Sequence, residues 1–286
     1  MQFPADVGRA TGKGIDLAVR WLTREGAGFS DVIRAVITLV LINLRDGLLW
    51  IPWPALTSAV ALLAWRTAGG RVALFGAASL LTIGFMGLWD SAMETLALVV
   101  TAVVLSISVG VPLGILGARN SLADSLMRPI LDGMQTMPSF VYLVPAILFF
   151  SLGNVPAVIA TVIYAVPPAI RLTNLGIRQV SPEIVEAARS FGTTPTQLLI
   201  KVQMPMALPT IMAGINQTTM MALSMVVVAS LVGAGGLGED VLRALGRQQP
   251  GASAIAGLSI VFMAITIDRI TQGFAQKQRQ AVEGSR

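Results

Sequence analysis

The chain of 286 residues has no cysteine and no histidine. Without cysteine there is no disulfide, no thiolate metal site and no cysteine nucleophile. Without histidine the commonest general base and zinc ligand are missing. The two absences together disfavour most hydrolytic chemistry. Charge is also scarce: 12% of residues are charged, against about 25% in a soluble domain. Strongly ionisable residues are lacking from the middle of the apolar segments between 92 and 232, which disfavours a proton relay or a charge-driven pump. No Ser/Lys or Asp/Asp pair is placed credibly within an apolar segment, so an intramembrane enzyme is disfavoured as well.

What is present is apolar. Hydrophobic residues make up 54% of the chain and the mean hydropathy is +0.74. These values describe an all-α integral membrane protein. The start of the chain is polar, with no single apolar run ahead of a small-residue cleavage site, so no cleaved signal peptide is expected. The net charge of +5 resides in loops and tails. It reads as membrane topology and not as nucleic-acid binding.

Residues 1–50 form an N-terminal region with two amphipathic stretches. In the first, Ile15, Ala18, Val19 and Leu22 share one helical face. In the second, 29–50, Asp31, Arg34, Thr38 and Arg45 recur at near-helical spacing, which predicts a helix lying in the outer interface; a true span is the rival reading. Seven spans are expected, at 52–68, 71–89, 92–117, 138–152, 155–173, 207–232 and 252–270. The first two (51–90) are peripheral, 91–272 is the core, and 273–286 is a tail. Arg66, Arg71, Arg119, Arg128, Arg171, Arg178, Arg189, Lys201 and Lys277 fall in the odd-numbered connections and the tail, which predicts that these face the cytoplasm. Gly110 and Gly114 form a small-xxx-small face for close helix contact.

Two glycine patterns mimic nucleotide sites. Residues 233–238, GAGGLG, match G-x-G-x-x-G but follow a membrane helix and not a strand, so dinucleotide binding is not expected. The GRATGKG run at 8–14 is one residue short of a phosphate loop and has Gly14 where magnesium needs Ser or Thr. No cofactor site is expected in this chain, and any ATP chemistry must reside in another. The sixth span carries Asn216, Gln217, Thr218, Thr219, Ser224 and Ser230 interleaved with Met212, Met220, Met221 and Met225. Such a polar side either bonds neighbouring helices or lines a path. As a path, it is expected to act through Asn216, Thr219, Met220 and Ser224.

The most informative stretch is Glu186–Pro205. Ser181 suits an N-cap, Pro182 the first helical position, and Gly192 a left-handed helix end. Thr194, Pro195 and Gln197 make a capping box for a second helix. The expected shape is a knuckle of two helices joined by a Gly-Thr-Thr turn.

Glu186-Ala187-Ala188, Gly192 and Val202-x-Met204-Pro205 at this spacing resemble the EAA loop of binding-protein-dependent ABC importer permeases. Residues 132–145 (DGMQTMPSFVYLVP), 208–218 (LPTIMAGINQT), 222–227 (ALSMVV) and 235–238 (GGLG) resemble the glycine betaine/proline subfamily. The resemblance implies a type I importer permease fold with seven transmembrane helices and an N-terminal amphipathic helix, in the bacterial inner membrane. It implies a homodimer with two ATPase subunits, which hold the ATP and magnesium, and an extracytoplasmic binding protein that selects the solute and is not expected to be fused to this chain. Within the 176–205 loop, Glu186, Ala187, Ala188, Phe191, Gly192, Thr193, Thr194 and Pro195 are the implied ATPase-coupling residues. The other reading weighed is an ATP-independent secondary transporter or channel for small polar solutes.

Overall fold

The computed structural model describes residues 27–283, so the amphipathic stretch around 15–22 lies outside the described residues. Among the described residues every regular element is helical. They are α1 (Ala27–Trp50), α2 (Trp53–Ala68), α3 (Gly70–Phe85), α4 (Trp89–Arg119), α5 (Ser121–Thr136), α6 (Leu143–Phe150), α7 (Asn154–Arg178), α8 (Pro182–Ser190), α9 (Pro195–Gln197), α10 (Met204–Ser230), α11 (Leu237–Gly246) and α12 (Pro250–Glu283). A 3-10 turn, Ser139–Tyr142, precedes α6, and a π-helical stretch, Leu198–Gln203, joins α9 to α10.

The centre of the fold is α7, held between α4 and α10. Lipid is as apolar as leucine, so these helices gain little from hiding apolar surface and must associate by close packing. Glycine supplies that closeness. A Cβ on Gly114 of α4 would lie 2.6 Å from Thr173 Cβ and 2.7 Å from the Ile170 carbonyl oxygen; one on Gly110 would lie 2.7 Å from Ala169 Cβ. On the other side of α7, a Cβ on Gly214 of α10 would lie 2.9 Å from Leu172 Cβ and 3.1 Å from the Pro168 carbonyl oxygen. The small-residue face expected at Gly110 and Gly114 is therefore a real contact.

Among the described residues four helices are long and apolar enough to cross a membrane: α4, α7, the rod Pro195–Ser230, and α12 from Pro250 to Lys277. The expected spans at 92–117, 155–173, 207–232 and 252–270 lie on these. The other three expected spans look different. At 16 residues each, α2 and α3 reach only about 24 Å, short of the ~30 Å hydrocarbon core. The segment at 138–152 holds only the 3-10 turn capped by Pro138 and the eight-residue helix α6. With α5 it forms a pair bent by 113°, which makes a fifth crossing only if the pair is one broken span. The connection expected between the third and fourth spans is thus mostly the helix α5.

The helix expected at 29–50 is present as α1. It packs on α4 and α7, burying Ile37 and Leu41 beside Leu98, Ala102 and Ala157, and Arg34 Nη2 donates to the Phe150 carbonyl at 2.9 Å. At the far end of the bundle the glycine-rich segment forms a seat. Gly235 N donates to Asn154 Oδ1 at 3.0 Å, Leu237 N donates to Thr95 Oγ1 at 2.8 Å, and Gly236 has φ +90°. A side chain at Gly236 would lie 2.4 Å from the same Thr95 hydroxyl. These glycines let the chain leave α10 and start α11, a helix the composition did not announce.

The packing predicts opposite signs for the same substitution at two helical glycines. In an open position Ala is favoured over Gly in a helix by about 1 kcal/mol, and Gly133 has nothing within 4 Å of its added Cβ. Gly133→Ala is expected to leave thermal stability in detergent equal or raised. Gly114→Ala forces α4 away from α7 and is expected to lower it by roughly 1–3 kcal/mol despite the helix gain.

Candidate functional site

The knuckle begins where α7 ends. Ser181 occupies the N-cap position of α8 and Pro182 the first turn, yet the Ser181 hydroxyl donates to Glu183 Oε2 at 2.7 Å and caps no backbone N–H. The expected cap position is therefore right and its hydrogen bond is not. The rotamer that reaches the Glu183 carboxylate leaves the hydroxyl oxygen accepting from no backbone N–H of the first turn. The helix ends in a Schellman motif: Gly192 N donates to the Arg189 carbonyl at 2.9 Å and Thr193 N to the Ala188 carbonyl at 3.3 Å. The Thr193 hydroxyl adds a second bond to the Ala188 carbonyl at 2.8 Å. Gly192 has φ +78° and open space beyond its Cα. Backbone conformation alone, not crowding, requires glycine there.

The second limb starts with the full capping box. Gln197 N donates to Thr194 Oγ1 at 3.3 Å, and Thr194 N donates to Gln197 Oε1 at 2.9 Å. It does not form a separate helix. Through the π-helical stretch it runs directly into α10, so the limb and the span make one rod. The wide turn falls just before Pro205, which has no N–H to give and whose ring would crowd the carbonyl four residues back. Leu199 is buried beside Ile177 of α7 and against Ile115 of α4. That contact fixes the knuckle on the bundle.

The outward surface of the knuckle is open. Phe191, at the turn, is 90% exposed. Glu186, Ala187, Arg189 and Pro195 are also exposed, while Ala188 and Thr193 are half-buried. Phe191 is therefore not a core residue. Behind the turn a cleft of about 490 Å³ separates the knuckle from α4 and includes Arg119, Arg189, Thr193 and Gln203 in its walls.

The polar side of α10 divides in two. Asn216 faces α12, donating to Asp268 Oδ1 at 3.3 Å and accepting from the Thr271 hydroxyl. Thr219 is buried and bonds the Ile215 carbonyl of its own helix at 2.8 Å. Met220 and Ser224 are exposed, and with Ala213 and Gln217 they form a stripe at spacings of three and four residues that no described helix covers. The structure therefore does not bring the four expected path residues to one surface. Gln217 belongs with the exposed pair, and Asp268 is the unforeseen partner of Asn216. The signal for it was an ionisable residue inside the last apolar segment.

Comparison with known proteins follows this geometry. Residues 110–280 match the family described as binding-protein-dependent transport system inner membrane component. The chain is 47% identical over 267 residues to the glycine betaine/proline betaine transport system permease protein ProW of Escherichia coli K12, covering 93% of this chain and 74% of that protein. It is 48% identical over 265 residues to the glycine betaine transport system permease protein OpuAB of Bacillus subtilis 168, covering 93% and 94%. An inward-facing structure of the MetNI methionine ABC transporter shares the fold, with a TM-score of 0.62 at 22% identity over 67% of this chain and 95% of that one. On these grounds the chain belongs to the inner-membrane permease family of binding-protein-dependent ABC transport systems.

Proposed function

We propose that this permease imports glycine betaine-type compatible solutes, driven by ATP hydrolysis in a separate ATPase subunit that grips the knuckle. The observation that carries the coupling role is the knuckle itself: a capped, glycine-turned element with Phe191 at its tip, rooted on the α4–α7–α10 core. The substrate class rests on the relatives named for glycine betaine and proline betaine. No nucleotide motif is present in this chain, so ATP and magnesium belong to the partner.

Two copies of the chain pair in this reading, with one ATPase subunit below each. The exposed stripe of α10 (Ala213, Gln217, Met220 and Ser224) lines the solute path between them. The apolar edge of α5, Leu122, Leu126 and Ile130, supplies further surface for the second copy. Neutral hydrogen-bonding groups suit a solute held weakly in transit, after a separate extracytoplasmic binding protein has selected it. The knuckle faces the cytoplasm in this arrangement. Arg119, Arg178 and Arg189 gather at that end, in keeping with the bias of basic residues toward the cytoplasmic side. α1 lies along the outer interface.

The test is reconstitution with the ATPase and a solute-loaded binding protein, measuring ATP hydrolysis and uptake of glycine betaine. Gly192→Val is expected to insert normally and to lose uptake and solute-stimulated hydrolysis together, because a β-branched residue cannot hold φ +78° without strain of about 1 kcal/mol or more. Phe191→Ala is expected to weaken ATPase co-purification by about thirtyfold, the effect of truncating an aromatic anchor. Wild-type uptake by Gly192→Val would refute the coupling role.

The division of α10 gives a second check. Ala at Asn216 or Thr219 is expected to lower thermal stability and leave the apparent affinity for solute unchanged. Leu at Gln217 or Ser224 is expected to change uptake affinity or rate with stability kept. The reverse pattern would place the path on the α12 side.

A further inference from the structure

Next to the root of the knuckle lies a buried carboxylate. Asp124, in the first turn of α5, has a side chain only 8% exposed. Its Oδ2 accepts from Arg128 Nη2 at 2.6 Å and pairs with Arg178 Nη2 at 3.3 Å, and its Oδ1 accepts from Asn174 Nδ2 at 2.7 Å. Arg178, the last residue of α7, works as a fork. Its Nε donates to Asn174 Oδ1 at 2.8 Å, and its Nη2 also donates to the Gly117 carbonyl of α4 at 2.7 Å. A Cβ on Gly117 would lie 2.6 Å from Met127 Cε and 2.9 Å from Asn174 Nδ2.

One guanidinium thus ties the ends of α4, α5 and α7 together, four residues before α8 begins. A carboxylate taken out of water is tolerated only while its donors stay in place, and removing one partner is strongly unfavourable. Sliding α7 without α4 and α5 would strip donors from Asp124 and the fork from the Gly117 carbonyl. The helices therefore move together. Arg128 differs: it donates to the same carboxylate from α5 itself, one turn on, so it helps hold the charge but ties no second helix.

We infer that Asp124, Asn174 and Arg178 form an ionic clamp that carries displacement of the knuckle into α4 and α5, making Asp124 and Arg178 positioning residues for transport. This rests on the reading of the chain as an ATP-coupled permease. The clamp explains why the residue ahead of the coupling loop is arginine and not merely a cation. Lysine offers a point charge and cannot serve Asn174, Asp124 and the Gly117 carbonyl in one plane.

The experiment reads moles of glycine betaine taken up per ATP hydrolysed, in the complex reconstituted with its ATPase and binding protein. Absence of ATP-driven uptake by the wild type would defeat the functional reading itself, before the clamp is tested. With a working wild type, Arg178→Ala and Asp124→Asn are expected to co-purify with the ATPase and hydrolyse ATP. Their uptake per ATP is expected to fall about fivefold or more, the lower end of ordinary coupling energies. Arg178→Lys is expected to remain uncoupled, and Arg128→Ala to lose thermal stability but keep the wild-type uptake per ATP, because Arg128 bridges no second helix. If Arg178→Ala fails to assemble, Arg178→Lys decides alone. Wild-type uptake per ATP in an assembled Arg178 variant, or an equal loss in Arg128→Ala, overturns the clamp.

Discussion

The fold depends on how closely α7 approaches its two neighbours. Water cannot drive helices together inside lipid, so the contact must be made by shape and by backbone proximity. Gly110 and Gly114 bring α4 onto one side of α7, and Gly214 brings α10 onto the other. The nearest atoms they meet are the Cβ atoms of Ala169, Leu172 and Thr173 and the carbonyls of Pro168 and Ile170. Such a contact has little room to shear. The three helices form one body, and everything attached to α7 and α10 inherits its position from that body.

The knuckle is attached to both. Its first limb leaves the end of α7 and its second limb becomes α10 without a break. The Schellman turn at Gly192 and the capping box at Thr194 satisfy the backbone groups that two facing helix ends would otherwise leave open. The result is a short rigid loop whose tip, Phe191, is free to meet another protein. A flexible loop in this place would absorb a partner's motion. A capped loop between two helices of one packed core passes it on.

Local chemistry was legible in the sequence and long-range chemistry was not. The capping box, the left-handed residue at Gly192 and the small-residue face at Gly110 and Gly114 depend on a few neighbouring residues or on helical period, and all three appear as read. Ser181 shows the limit even at short range: the position was legible, but the choice between a backbone N–H and Glu183 depends on side-chain placement. The division of Asn216 and Ser224 between two surfaces depends on where α12 packs, which no spacing within α10 encodes. Helix α5 reads as a connection because Arg128 counts there as a loop charge, whereas the neighbouring Asp124, which that reading passes over, is folded inward against α7. The expected span at 138–152 reads as one apolar run although Pro138 and the 3-10 turn bend it sharply against α5.

The knuckle and the α4–α7–α10 core are expected to move as one body. The chain has no cysteine, so two introduced thiols can be labelled without further change. Spin labels at Thr196 on the knuckle and Leu152 at the opposite end of α7, both exposed, report the body's length by double electron–electron resonance. In the proposed homodimer with its ATPases, the labels belong in one protomer while the other is unlabelled. Measured without nucleotide and again with ATP trapped in the partner ATPases, this distance is expected to stay the same while the distance between Thr196 labels on two protomers changes. A change in the Thr196–Leu152 distance that accompanies ATP binding would contradict the account, because the knuckle would then be moving on the core instead of with it.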